Sequence, residues 1–232
     1  MRILKVVSAL LSYPQAELLD ALYEIADEVK AYANLPSQQK AGLLSFIDTH
    51  KPKDLIEWQQ GYVECFDRGR NLSLLIFEHI HGESRDRGQA MVDLLRVYRE
   101  HGFELAAKEL PDYIPLFLEF LSQCPREEAL DLLRGALPVL NLLGARLAER
   151  ESAYAVLFDS LVVLAGDTQT PKALREQAAT EGPDETLLRM DEIWEEEAVS
   201  FLGNPKACQT QAAGHTLRYT PRAHVGAGHA RD

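Results

Sequence analysis

Apolar positions along this chain recur almost everywhere at intervals of three and four, the spacing of one face of an α-helix. After Pro14 the series Leu18, Leu22, Ile25, Val29 keeps that interval, and Pro36 closes the loop beyond it. Ile3–Leu11 reads as a helix before it. Further helices are predicted over Ser37–Thr49, Pro52–Phe66, Leu72–Ile80, Ser84–His101 and Arg126–Arg134. Over Asp112–Ser122 the apolar face is Ile114, Phe117, Leu118 and Leu121, with Asp112 as the expected N-cap and Pro115 at N3. From Pro138 to Ala165 the pattern predicts the longest helix, about 40 Å at about 1.5 Å per residue. Its second half is apolar nearly all round, as in the central helix of a bundle. A last helix is expected over Glu185–Leu202. No run alternates as a strand does. The expected fold is all-α, one helical bundle over residues 1–202, followed by a flexible, disordered tail over 203–232.

Charge narrows the function. Lys and Arg number 24 against 36 Asp and Glu, a formal net charge of −12. A nucleic-acid binder gains affinity by neutralising phosphates, so that class is disfavoured, whereas a basic peptide is attracted. Cys65, Cys124 and Cys208 are far apart and odd in number, which points to a reducing compartment. The N-terminal apolar run is short, contains Lys5 and lacks a cleavage site, and Ala153–Ala165 is too short to span a bilayer. A cytoplasmic protein without membrane insertion is expected. Residues 181–202 carry eight acids and one base, against four bases and one acid in the tail; a solvated helix face is the plainer reading of the acids.

The densest chemistry lies in Phe66–Met91, where the apolar run Leu74-Leu75-Ile76-Phe77 sits between two Asp-Arg-Gly tripeptides at 67–69 and 86–88. His79 and His81 are two apart, so on a helix they point in different directions and cannot ligate a metal from one face. Ser84 has no G-x-S-x-G elbow and explains itself better as an N-cap; Gly69 and Gly82 read as helix ends. An enzyme, metal-dependent or hydrolytic, using His79, His81 and Glu83 is the main competing reading. The charges of Asp67, Glu78, Glu83 and Asp86 balance Arg68, Arg70, Arg85 and Arg87. They form either a network that only fixes three helices at one junction, as in a purely structural scaffold, or the rim of a groove for another chain. The stripe Trp58, Tyr62, Phe66 is core by default. The polar tips of Tyr62 and Tyr113 also suit a groove that is apolar inside and wet at its rim.

The run Phe66–Met91, together with Leu11-Ser12-Tyr13-Pro14, resembles the delta-subunit chaperones of respiratory nitrate reductase, the NarJ type. Glu109-Leu110-Pro111-Asp112, Pro115–Glu119, Arg150-Glu151-Ser152, Tyr154–Asp159 and Trp194–Glu197 complete a resemblance that covers about residues 3–202. It implies an all-helical cytoplasmic chaperone of the redox-enzyme maturation group, not an enzyme and without a cofactor of its own. The implied client is the catalytic (alpha) subunit, bound at its N-terminal amphipathic helix and held competent for molybdenum cofactor insertion. Proteins that make that cofactor are a second implied class of partner. In the wider group a Pro-x-Asp-His pattern contributes to the peptide site; here it reads Pro111-Asp112-Tyr113, and the Tyr forgoes titration near neutral pH. The expected peptide groove comprises Tyr62, Phe66, Asp67, Phe77, Glu78, Asp112, Tyr113 and Phe117, with Arg68, Arg70, Glu83, Arg85, Asp86 and Arg87 at the charged junction.

Overall fold

The structure is a computed structural model, and it describes residues 1–82, 84–105, 109–167 and 172–182. Eleven helices, α1 (Arg2–Leu11), α2 (Ala16–Ala31), α3 (Ser37–His50), α4 (Leu55–Phe66), α5 (Ile76–His81), α6 (Asp86–Glu100), α7 (Ile114–Gln123), α8 (Arg126–Gly135), α9 (Leu137–Glu149), α10 (Ala155–Leu164) and α11 (Lys172–Thr180), make up the described fold. Among the described residues there is no strand, so the fold is all-α. The helix expected over Glu185–Leu202 and the tail over 203–232 lie outside the described residues, as does Glu83.

Four helices supply the centre. α1 lies along α7 and also meets α2 and α10, while α9 and α10 pair with each other and carry α11 and α3 on their flanks. The reason is their sequence: Leu4, Val7, Leu10 and Leu11 on α1 and Ile114, Leu118 and Leu121 on α7 are all fully buried. Each such side chain contributes about 1.5–3 kcal/mol on leaving water. Polar groups inside this interface are satisfied across it. Ser8 Oγ donates to the Pro115 carbonyl at 2.6 Å, and the N-terminal amine of Met1 to that of Ser122. On the other flank α3 approaches α10 so closely that a Cβ on Gly42 would overlap the side chain of Val156.

The single helix expected from Pro138 to Ala165 is two. α9 ends at Glu149, and Glu151 takes a left-handed conformation with φ of 51°. Its amide bonds back to the Ala148 carbonyl at 3.0 Å, and that of Ser152 to Leu147 at 2.9 Å. This pair of bonds is a Schellman ending, built on a glutamate where glycine is usual. The reversal lets Phe158, Leu157 and Leu161 of α10 fold back beside Leu143 and Leu147 of α9, with all five fully buried. α10 is the apolar central helix that its pattern predicts, but it is ten residues long.

Two starts also differ. α4 begins at Leu55, because Asp54 caps it by accepting from the Ile56 amide at 2.8 Å. The helix expected over Leu72–Ile80 begins at Ile76, because residues before it are extended and pair with another segment: Leu75 bridges Tyr113.

Candidate functional site

That pairing builds the site. The Ile114 amide donates to the Leu74 carbonyl at 2.8 Å, and the Ile76 amide to the Asp112 carbonyl at 3.0 Å. Asp112 is fully buried, and its Oδ2 accepts from the Phe77 amide at 2.9 Å. It was expected to cap α7; instead it caps α5, a helix 35 residues away in sequence. α7 starts at Ile114 with Tyr113 as its N-cap, and Pro115 falls at its second position rather than the third. Tyr98 of α6 fixes the other side, its hydroxyl donating to the Pro111 carbonyl at 2.7 Å. Loop 109–113 is thereby held between α5 and α6.

Beside this pairing lies an open cleft of about 350 Å³. Tyr13, Tyr62, Phe66 and Tyr113 form its aromatic wall, and Leu74, Leu75 and Ser73 the facing one. Tyr13 meets the Tyr62 ring edge-on at 5.5 Å, and Tyr62 lies 5.0 Å from Phe66. The Tyr62 hydroxyl donates to the Leu11 carbonyl at 3.0 Å, so at the 3.1 Å contact between the two phenols Tyr113 is the donor. Burial pushes both phenols above their ordinary pKa, and each stays neutral at physiological pH. Among the described residues the formal charges that line the cleft, Asp67 and Glu109, are acidic, and both are exposed. The site is therefore apolar and aromatic within, with hydrogen-bonding tips and a negative rim.

Of the residues expected in a groove, Tyr62, Phe66, Asp67 and Tyr113 meet here. Asp112 and Phe117 do not line the cleft: the first caps α5, and the second is packed in the core away from it. Phe77 packs partly against the core and against the His81 ring at 5.8 Å. Glu78 faces a different cavity, where its Oε2 accepts from Ser73 Oγ at 2.7 Å and its Oε1 lies 3.7 Å from Arg70 Nε. Tyr13, Ser73, Leu74, Leu75 and Glu109 were not among the expected site residues. Tyr13 and Glu109 belong to the short motifs Leu11–Pro14 and Glu109–Asp112, and the 39% exposure of a tyrosine beside a proline is what the motif conceals.

Among the described residues the charged junction holds the Arg70–Glu78 pair. Arg68, Arg85 and Asp86 are exposed, and among the described residues these three and Arg87 form no ion pair. The Arg70–Glu78 pair is long and its Arg 58% exposed, a class of contact worth about 0–1 kcal/mol. His79 Nε2 donates to the Ser73 carbonyl at 2.7 Å, and burial lowers its pKa. Among the described residues no group of three His, Cys, Asp or Glu is placed to hold a metal ion. Ser84 Oγ accepts from the Asp86 amide at 3.2 Å, at the start of α6, and Gly82 ends α5 with φ of 55°. Among the described residues no helix is long and apolar enough to cross a membrane.

The fold is all-helical among the described residues, and its cleft is apolar and aromatic within and acidic at its rim. Residues 30–160, more than half of the chain, match the family described as nitrate reductase delta subunit. The chain is 45% identical over 216 residues to the nitrate reductase molybdenum cofactor assembly chaperone NarJ of Escherichia coli K12, covering 93% of this chain and 92% of that one. It is 42% identical to the probable chaperone of the same description, NarW, from that strain, over 90% and 88% of the two chains. With the probable NarJ of Bacillus subtilis strain 168 it shares 34% identity over 67% of this chain and 84% of that one. This chain belongs to the nitrate reductase delta-subunit family, of the NarJ type.

Proposed function

We propose that this protein is a cytoplasmic assembly chaperone for respiratory nitrate reductase. It binds the amphipathic N-terminal helix of the catalytic subunit in the cleft between α4 and loop 109–113. By holding the apoenzyme it keeps it competent for molybdenum cofactor insertion, and it leaves before the enzyme is complete. It carries out no catalysis of its own. Relatives that are alike over nine-tenths of the chain are described as molybdenum cofactor assembly chaperones, which supports the role.

The observation that carries the site is the pairing of an aromatic wall with a rim whose lining charges are both acidic. A helix with one apolar and one basic face is the peptide that fits such a surface. Tyr13, Tyr62, Phe66 and Tyr113 are its apolar anchors, and Asp67 and Glu109 meet its Lys and Arg. Asp112 acts indirectly, by holding Tyr113 and α5 in place. Because the charges sit at the rim, salt slows encounter more than it loosens the complex.

Co-purification with the catalytic subunit tests this reading. The full-length subunit is expected to be retained by the chaperone, and a subunit lacking its N-terminal segment to be lost or much reduced. Equal retention of both would contradict the reading.

A further inference from the structure

A second cavity, of about 400 Å³, opens on the other side of α5, and nothing in the chaperone reading uses it. Among the described residues Arg70, Arg87 and Arg146 line it, with His79 and one acid, Glu78. In a chain of net charge −12 this is a local excess of positive charge. Two of the cations have acids beside them: Arg146 binds Glu181 through both guanidinium edges at 2.6 and 2.7 Å, and Arg70 reaches Glu78. Arg146 also donates to the Asn71 carbonyl at 2.8 Å, which fixes its plane.

Arg87 is different. Its Nε is buried, and among the described residues it meets no acceptor and its guanidinium forms no ion pair. Arg87 as a whole is half-buried, but a buried N–H donor left without an acceptor costs stability that a bound oxygen would restore. The guanidinium fork matches the oxygens of a phosphate or carboxylate two at a time. We propose that this cavity is an oxyanion site that takes the phosphate group of a small phosphorylated molecule, with Arg87 as the principal donor and Arg70 as the second.

The volume exceeds what a phosphate ion alone fills and falls within the range of small-molecule sites, about 300–1,000 Å³. Leu142 supplies an apolar wall for the body of the molecule. His79, whose Nε2 is committed to the Ser73 carbonyl, also lines the cavity. This proposal is independent of the client-peptide site, since the two cavities share no lining residue.

The test is titration of the full chain with inorganic phosphate and, separately, with guanosine monophosphate, read by calorimetry and by the nitrogen resonances of His79. Saturable binding of at least one, with a Kd below about 1 mM and a shift at His79, is expected. Arg87→Gln should weaken it about tenfold or more and Arg70→Gln less, while Arg126→Gln on exposed α8 leaves it unchanged. Tighter binding of the nucleotide would show that the body is held; equal binding would show that the phosphate group alone is. No saturation by either, or equal affinity in Arg87→Gln with its circular dichroism intact, would overturn the proposal.

Discussion

The two ends of α4 carry the same kind of residue and do opposite things. At one end Trp58 is 1% exposed, packed against His50 at 4.7 Å, and its indole N–H donates to the Tyr154 hydroxyl at 2.8 Å. Two turns on, Phe66 also touches Tyr154, at 4.9 Å, yet it borders the open cleft with Tyr62. One helical stripe therefore runs from core to cleft wall. What separates the ends is the neighbourhood: Phe46 and His50 pack on Trp58 inside the core, whereas Tyr62 and Phe66, 3% and 4% exposed, show only an edge to a cleft that Tyr13 and Tyr113 also line. In the proposed reading the cleft end of the stripe is the peptide site, and Asp112, through the Phe77 amide, fixes the loop beside it.

The comparison predicts effects of graded size. Trp58→Ala removes a fully buried ring and orphans a phenol, so it should destabilise the fold by about 3–5 kcal/mol in denaturant unfolding. Any loss of client affinity should then follow the unfolded fraction alone. Asp112→Ala should cost less, about 1–2 kcal/mol, because it removes one cap. It differs in kind, since freeing loop 109–113 displaces Tyr113; peptide affinity should fall in a fully folded sample. If Asp112→Ala binds peptide as the wild type does, the loop does not shape the site.

A smaller effect is the response to acid at the Trp58 end. Burial holds His50 below its ordinary pKa, as it does His79 on α5. The unfolded chain therefore binds these protons first. Their contribution is full above about pH 6.5 and is lost as pH falls through that value toward the folded pKa. His101 runs the other way: the Val97 carbonyl and then Glu128 hold its pKa up, so its contribution fades as pH rises. Melting curves between about pH 7.5 and 5.5 should show His50→Gln approaching wild type at the acid end. Parallel curves would contradict the assignment to His50.

The helices that form the core were legible in the sequence because their apolar spacing is local. Leu18 to Val29, the Ile114–Leu121 face and the α4 stripe each declare a buried side within one element. What escaped depends on partners elsewhere. The break after Glu149 rests on Glu151 in a left-handed turn, where no glycine marks the reversal. Asp112 has the form of an N-cap for α7, and only the distant Phe77 amide makes it one for α5. Leu74 and Leu75 fit a helix by pattern, yet pairing with Tyr113 and Ile114 extends them into a cleft wall. The cleft was therefore half legible: Tyr62, Phe66, Asp67 and Tyr113 line it, while Phe77, Glu78, Asp112 and Phe117 are not among its lining residues.

The central claim is that the open end of the α4 stripe, and not the charged junction around Arg68 and Arg85, receives the client. Calorimetric titration with the N-terminal peptide of the catalytic subunit tests it most directly. The wild type should bind saturably, and a Tyr13→Ala/Tyr113→Ala variant with unchanged circular dichroism should bind at least about tenfold more weakly, while Arg68→Ala/Arg85→Ala binds as the wild type. Full affinity in the tyrosine variant, or loss in the arginine variant instead, would contradict it.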